Sequence, residues 1–169
     1  MITRKSYIDS LLKFIDKPVI KVLTGMRRSG KSTIMLLLKK HLIDKGVKEQ
    51  DIVYINKESL EFEFINDYKS LYKFVKSKLT SKSNKKYILI DEVQEISKWE
   101  KAISSFLADK VGDIVITGSN SYLFSSELAT LISGRYVEIP VFPLSFKEFL
   151  EFRSINDKYK YEEEFDNYL

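Results

Sequence analysis

A glycine-rich segment at residues 25–32, Gly-Met-Arg-Arg-Ser-Gly-Lys-Ser, is the feature that most constrains the fold of this chain. It fits the pattern G-x-x-x-x-G-K-[ST] and follows directly on the apolar run at residues 19–24. In this pattern the glycines let successive backbone N–H groups face one point, the lysine reaches the β- and γ-phosphates, and the hydroxyl can bind Mg²⁺. The segment, called the P-loop below, therefore predicts a strand that leads into a phosphate-binding loop for a nucleoside triphosphate.

The nucleotide-binding residues predicted from the P-loop are those of the pattern itself and the threonine that follows it. They are Gly25, Met26, Arg27, Arg28, Ser29, Gly30, Lys31, Ser32 and Thr33. Lys31 is expected to act on the phosphates during catalysis, and Ser32 to place its hydroxyl on Mg²⁺. The pattern does not determine whether Arg27 and Arg28 face the phosphates or the solvent.

Five runs of β-type residues alternate with helical stretches along the chain. The β-type runs are at residues 19–24, 51–56, 87–91, 113–117 and 136–141, and the helices are expected at 4–14, 31–45, 67–79, 98–109 and 122–131. Three runs are almost continuously apolar, which is typical of parallel strands covered by helices on both faces. The intervening stretches are long enough for right-handed crossovers. The chain is therefore predicted to have an α/β fold.

Two helix boundaries are marked by their residue types. Gly46 is expected to end the helix that starts at Lys31, because glycine readily adopts the left-handed conformation that ends many helices. Ser145 is expected to begin a further helix as its N-cap, with Glu148 completing a capping box.

Composition narrows the class of protein. The chain has 169 residues, 44% of them hydrophobic, which suits one domain with a single core. It contains no cysteine, so disulfides and thiolate metal sites are excluded. No apolar run approaches the roughly 20 residues that cross a bilayer, so no membrane partner is expected. Because the start of the sequence does not resemble a signal peptide, a cytoplasmic location is expected.

Charge is spread unevenly along the chain. The overall balance of 28 basic and 24 acidic residues is modest, but residues 67–86 contain seven lysines and one acid, and residues 151–169 contain six acids and three bases. Two interpretations of the lysine-rich stretch stay open: a solvated helix face, or an electrostatic surface for nucleic acid or another partner.

An acidic pair follows the apolar run at residues 87–91. Hydrolysis of a nucleotide needs a carboxylate that anchors the metal and a group that activates the attacking water. Four apolar residues lead into Asp91 and Glu92, which is the Walker B arrangement. Asp91 is predicted to hold Mg²⁺ through water, and Glu92 to orient or deprotonate the attacking water. The alternative is a solvated turn.

Two further candidates lie at the ends of predicted elements. If the strand at 113–117 lies between the P-loop strand and the strand at 87–91, Ser119 or Asn120 falls next to the γ-phosphate, where either could sense it or position the water. The alternative is a helix N-cap. Arg135 precedes the last strand and is either a surface charge or an arginine finger that reaches the nucleotide of a neighbouring subunit.

Taken together, these motifs resemble a family of bacterial and archaeal P-loop ATPases of the AAA superfamily. The matching segments are residues 4–7, 22–33, 88–94, 116–121, 131–136 and 143–146. The resemblance implies a three-layer αβα fold with a parallel five-stranded sheet of order 5-1-4-3-2, and ATP as the nucleotide. The site it implies consists of Lys31, Ser32, Asp91, Glu92, one of Ser119 and Asn120, and Arg135.

The resemblance also implies a domain organisation and a function. Residues 1–152 would form the ATPase core, and residues 153–169 would begin a linker or C-terminal helical segment, because similar proteins continue into a second domain sometimes likened to nucleases. The expected function is Mg²⁺-dependent ATP hydrolysis coupled to a conformational change of an attached or partner domain, with homo-oligomers formed through Arg135. The alternatives are a non-hydrolysing nucleotide switch and a nucleic-acid-dependent ATPase, since residues 91–94 also read like the D-E-x-Q box of helicases.

Overall fold

All five predicted strands form one parallel sheet in the computed structural model, which describes residues 4–83, 85–118 and 134–153. The strands are β1 Ile20–Thr24, β2 Ile52–Asn56, β3 Tyr87–Asp91, β4 Asp113–Gly118 and β5 Tyr136–Pro140. Their order is β2-β3-β4-β1-β5, which is the order 5-1-4-3-2 counted from the other edge. The predicted α/β class and the sheet order implied by the resemblance are both confirmed.

The predicted helices that fall within the described residues are present, and their ends differ from the predictions by at most two residues. They are α1 Lys5–Leu12, α2 Lys31–Asp44, α3 Tyr68–Lys78, α4 Trp99–Ala108 and α5 Phe146–Phe152, with short 3₁₀ helices at Glu49–Asp51, Leu60–Phe62 and Val93–Glu95. The predicted helix at 122–131 lies outside the described residues. None of the helices in the described part of the chain is long and apolar enough to span a bilayer.

The two helix boundaries predicted from residue types are as expected. Gly46 has a φ of +89° just after α2, and its N–H donates to the carbonyl of Ile43 at 2.8 Å. At the start of α5, the Ser145 hydroxyl accepts from the Glu148 N–H at 3.3 Å, and the Glu148 carboxylate accepts from the Ser145 N–H at 2.8 Å. The capping box is therefore confirmed.

The alternating side chains of β3 explain why its sequence is continuously apolar. Ile88 and Ile90 pack into the core under α3 and α4, where Leu71 joins them, while Leu89 packs on the opposite face against α1 and α2, where Leu38 lies. The side chains named here, Ile88, Ile90, Leu71, Leu89 and Leu38, are all fully buried. Helices thus cover both faces of the sheet, which gives the three-layer αβα arrangement.

The parallel register brings the ends of three central strands to one edge of the sheet. Thr24 pairs with Gly118, and Ile90 pairs with Ile116, so Asp91 and Thr117 follow side by side. β4 lies between β1 and β3, as the prediction for the residues after β4 required. This carboxyl edge is where the P-loop leaves β1, and where ligands bind in open α/β sheets.

Candidate nucleotide-binding site

The P-loop connects β1 to α2, and both of its glycines adopt backbone conformations that favour glycine. Gly25 has a φ of +148° and Gly30 a φ of +94°. A Cβ atom on Gly25 would lie 2.2 Å from the carbonyl oxygen of Val141, the residue that follows β5. The first glycine of the pattern is therefore needed for backbone contact as well as for conformation.

The first amides of α2 lie at the end of the P-loop. The first hydrogen bond of the helical ladder is donated by the Ile34 N–H to the Gly30 carbonyl at 3.0 Å. The N–H groups of Lys31, Ser32 and Thr33 consequently have no acceptor within the helix. Together with the positive end of the helix dipole, they suit a phosphate group.

Lys31 is the buried cation of the P-loop, with only 3% of its surface exposed. Its Nζ donates to the carbonyls of Gly25 at 3.2 Å and Met26 at 3.1 Å, and lies 3.5 Å from Oε1 of Glu92. These bonds hold the ammonium over the loop with an acidic neighbour on one side. The arrangement places Lys31 and Glu92, two of the predicted catalytic residues, in direct ionic contact.

The remaining predicted loop residues divide between buried and exposed positions. Ser29 is buried, while Met26, Arg27, Arg28 and Thr33 are exposed. Arg27 points away from the loop far enough to contact Glu58, with 3.5 Å between Nη2 and Oε1. The sequence pattern did not determine whether Arg27 faces the phosphates or the solvent. In the described structure it faces the solvent.

Asp91 is a fully buried carboxylate with one oxygen satisfied and the other not. Its Oδ1 accepts a hydrogen bond from the Thr117 hydroxyl, whereas Oδ2 has no hydrogen-bond partner within the described residues. Burial raises the pKa of Asp91, and the hydroxyls of Ser32 and Thr117 beside it oppose that rise. A buried acceptor without a partner is costly, so Oδ2 is poised to accept a donor or a cation.

The oxygens in this position fit a Mg²⁺ ion. Mg²⁺ prefers hard oxygen ligands, and proteins usually hold it by one or two side chains while phosphates and waters complete the octahedron. Ser32, at the start of α2, and the unsatisfied Oδ2 of Asp91 are the oxygens available here. The unsatisfied oxygen is the observation of this structure that supports the predicted metal-binding role of Asp91, and Ser32 has its hydroxyl beside that carboxylate.

Glu92 is held at the mouth of the site in an unusual backbone conformation. Its φ of +54° is in the left-handed region, which costs a residue other than glycine about 1–3 kcal/mol and is often found at functional sites. Its N–H donates to the Thr117 hydroxyl at 3.0 Å, and its Oε2 accepts from Nε2 of Gln94 at 2.6 Å. The carboxylate is thus fixed between Lys31 and Gln94, where it can orient or deprotonate a water.

Thr117 is a residue of this site that the sequence analysis missed. Its hydroxyl donates to Asp91 and accepts from the backbone of Glu92, so a single side chain positions both members of the acidic pair. A polar residue that directly follows the apolar run at residues 114–116 was the available signal. The prediction instead considered Ser119 and Asn120, which lie outside the described residues.

Replacing Thr117 with valine keeps the shape of the side chain but removes the hydroxyl. The Asp91 carboxylate and the Glu92 N–H then lose their hydrogen-bond partner. We expect Thr117→Val to lower the free energy of unfolding by about 1–3 kcal/mol. Chemical denaturation measures this change, with Thr80→Val, at an exposed threonine, as the matched control. Equal stability of the two variants would contradict the bridging role of the Thr117 hydroxyl.

Arg135 lies at the opposite edge of the sheet from its own P-loop. Its carbonyl accepts from the N–H of Ile20, the first residue of β1, and β1 has five residues. The backbone of Arg135 is therefore about 16 Å from the start of the P-loop. It lines a cleft of about 1020 Å³ at this other edge, which argues against a part in the site of its own chain. Both predicted alternatives, a surface charge and an arginine finger for a neighbouring subunit, stay open.

Comparison with protein families gives one match that covers most of the chain. A family model described as an AAA domain matches residues 17–150. An uncharacterised protein of Haemophilus influenzae is 42% identical over 158 residues, and one of Methanocaldococcus jannaschii is 38% identical over 143 residues. These matches cover 94% and 84% of this chain but only 40% and 30% of the two relatives. The chain therefore spans less than half the length of either relative.

Three solved structures share the fold of this chain. A DNA polymerase III gamma subunit-related protein from Thermotoga maritima has a TM-score of 0.60 at 18% identity, covering 88% of this chain and 48% of that one. Hsp104 gives 0.63 at 18% identity, with coverages of 93% and 30%. DnaA from Aquifex aeolicus, bound to AMPPCP, gives 0.59 at 13% identity, with coverages of 95% and 55%. At such low identities the likeness extends to the fold alone.

Proposed function

The chain belongs to the AAA domain family, and from this premise we propose that it is an ATPase domain that binds ATP with Mg²⁺ and hydrolyses it to ADP and phosphate. The observation that carries the proposal is the meeting of the P-loop and the acidic pair at one edge of the sheet. Lys31 is 3.5 Å from Glu92, and the neighbouring Asp91 has a buried oxygen with no hydrogen-bond partner among the described residues. A phosphate-binding cation, a metal-binding oxygen and a candidate base are thus within one site.

The contacts of Lys31 suggest how the site responds to the nucleotide. Its ammonium is bonded to two carbonyls of its own loop, and these bonds would be exchanged for bonds to the β- and γ-phosphates. Glu92 would then lose its cationic neighbour and keep the amide of Gln94 as its partner. Its carboxylate, no longer in an ion pair, would be able to orient or deprotonate the attacking water.

Ser32 and Asp91 would hold the metal in this proposal. Bound Mg²⁺ supplies positive charge that neutralises the phosphate oxygens during transfer. Thr117 fixes the carboxylate of Asp91 through Oδ1 and leaves Oδ2 free to face the ion. The backbone N–H groups at the start of α2 would bind the phosphates from the other side. Ser119 and Asn120 remain proposed sensors of the γ-phosphate.

Coupling of the cycle to another domain is also part of the proposal. The two curated relatives are longer than the region matched by this chain, which covers 40% and 30% of them. We propose that ATP turnover in residues 1–152 changes the shape of an attached domain, such as the nuclease-like one implied by the resemblance, or of a partner.

Replacing Arg135 tests whether ATP turnover needs a neighbouring subunit. If it reaches the nucleotide of another copy, the ATPase rate per chain should rise with protein concentration, and Arg135→Ala should lower it about 10³-fold. Lys110→Ala removes another cation that lines the same cleft and is the matched control. ATP hydrolysis measured over a range of protein concentrations gives the answer.

Two other results would change the assignment. An unchanged rate for Arg135→Ala at every concentration would reject the role between subunits. ATP binding without turnover at any concentration would favour the non-hydrolysing switch.

A nucleic-acid-dependent ATPase is the second candidate function, and the cleft at the opposite edge favours it. Its lining combines bases from separate parts of the chain: Lys17, Lys76, Lys85, Lys86, Lys110 and Arg135. Two of its acids, Asp16 and Asp113, are already paired with Lys85 and Lys21. If the cleft binds a phosphate backbone, single- or double-stranded DNA or RNA should raise the rate of ATP hydrolysis, and salt should weaken the effect. An unchanged rate would exclude this candidate.

A further inference from the structure

Arg4 is a buried arginine that joins three separate segments around the P-loop. Only 5% of its surface is exposed. Its Nη1 donates to the carbonyl of Ser29 at 2.6 Å, its Nη2 to the carbonyl of Phe142 at 2.8 Å, and its Nε to Oε1 of Glu148 at 3.1 Å. The guanidinium also lies 4.5 Å from the ring centre of Tyr7. We call Arg4 with these three acceptors the Arg4 clamp.

This set of bonds requires an arginine, and the backbone of that arginine is strained. Arg4 has a φ of +34°, in the left-handed region that side chains rarely adopt, so its surroundings must compensate for the strain. A planar guanidinium can donate in three directions at once, whereas a lysine ammonium on a flexible stem cannot match that geometry. Glu148 supplies the counter-charge that a buried cation needs.

The bond to Ser29 fixes the orientation of one amide of the P-loop. The Ser29 carbonyl and the Gly30 N–H belong to the same peptide unit, which is planar and trans, so the two groups point in opposite directions. Gly30 has a φ of +94° and no side chain to restrict its backbone. By binding the carbonyl on one side, Arg4 determines where the Gly30 N–H points on the other. In loops of this pattern such N–H groups bind phosphate.

The other end of the P-loop contacts the same segment after β5. The N–H of Val141 donates to the carbonyl of Thr24 at 2.6 Å, and its carbonyl crowds against Gly25. Phe142, the next residue, is bonded to Arg4 through its carbonyl and to the Tyr7 hydroxyl through its N–H at 3.2 Å. The segment that leads to α5 is therefore attached at both ends of the loop.

We infer, on the basis of the proposed function, that Arg4 is a positioning residue of the nucleotide site and connects the P-loop to α5. It holds the Ser29–Gly30 peptide in the phosphate-binding orientation, and through Phe142 and Glu148 it transmits a shift of that peptide to the helix. Nucleotide binding should therefore be felt in α5, the last helix in the described part of the chain.

The test compares Arg4→Lys with Lys5→Ala by measuring the affinity for ATP with Mg²⁺ and amide hydrogen exchange in α5. Arg4→Lys keeps the charge but cannot make all three bonds, and we expect at least about tenfold weaker binding. Lys5→Ala removes an exposed cation next to it and should change the affinity less than about twofold. ATP should slow exchange in α5 in the wild type and in Lys5→Ala, but not in Arg4→Lys.

The outcomes separate this inference from the proposed function. A wild-type chain that binds no nucleotide overturns both. Wild-type binding together with an unchanged affinity in folded Arg4→Lys overturns the inference alone, as does exchange in α5 that does not respond to ATP in the wild type. If Arg4→Lys does not fold, Glu148→Gln replaces it. The single amide oxygen of glutamine can preserve the capping box with Ser145, and its NH2 group, a donor, cannot accept from Nε of Arg4, so exchange in α5 should respond less to ATP.

Discussion

Replacing Glu92 with glutamine is expected to lower the rate of ATP hydrolysis at least about 100-fold while ATP still binds. The amide has the same size as the carboxylate and can still bond to Gln94, which contacts Oε2 at 2.6 Å. It cannot take a proton from the attacking water. It also removes the negative neighbour of Lys31, so the ammonium has no ion pair with residue 92 to give up when it binds the phosphates. Steady-state turnover and equilibrium binding of ATP measure the two effects separately.

The control for this change is Glu95→Gln. Glu95 is an exposed glutamate on the 3₁₀ helix that follows, so its neutralisation alters the net charge by the same amount. Its turnover should equal that of the wild type. Unreduced turnover in Glu92→Gln would show that the carboxylate of Glu92 does not activate the water.

The second large effect is expected from Gly25→Ala. The new Cβ would lie 2.2 Å from the carbonyl oxygen of Val141, and the backbone there has a φ of +148°. Because β1 and the segment after β5 must separate, we expect the free energy of unfolding to fall by about 3 kcal/mol or more. The affinity for ATP should fall as well, since the same shift displaces the P-loop. Chemical denaturation and ATP titration measure the two losses.

Gly46→Ala is the control that separates the effect of a positive φ from the effect of close contact in Gly25→Ala. Gly46 also has a positive φ, +89°, but a Cβ added there meets no atom within 4 Å. Its replacement should therefore cost only about 1 kcal/mol and leave ATP binding unchanged. If the two alanine variants were equally stable, the contact between Gly25 and Val141 would not constrain the loop.

The parts of the fold and site that could be predicted are those whose signals are local in sequence. The apolar run of β3 and the two acids after it predicted both a buried strand and the position of Asp91 and Glu92. The glycines and Lys31 predicted the loop in the same way. The sheet order came from the resemblance, and the parallel register then brought these two motifs together.

The parts that escaped prediction depend on contacts between residues distant in sequence. Thr117 is 26 residues from Asp91, and Arg4 is 138 residues from Phe142, so no local pattern connects them. Arg27 was a candidate ligand because it lies inside the loop, but its exposure depends on how the loop turns. Arg135 precedes β5, and the parallel pairing of β5 with β1 places it at the edge opposite the P-loop.

Whether the P-loop binds a nucleotide is best determined by equilibrium titration of the purified chain with ATP in the presence of Mg²⁺. We expect saturable binding of one nucleotide per chain, weakened about 10- to 100-fold in Lys31→Ala because two charged contacts to phosphate are lost. Lys40→Ala, which removes an exposed lysine from the same helix, should bind as the wild type does. No binding by the wild type, or equal binding by Lys31→Ala, would contradict a nucleotide site at the P-loop.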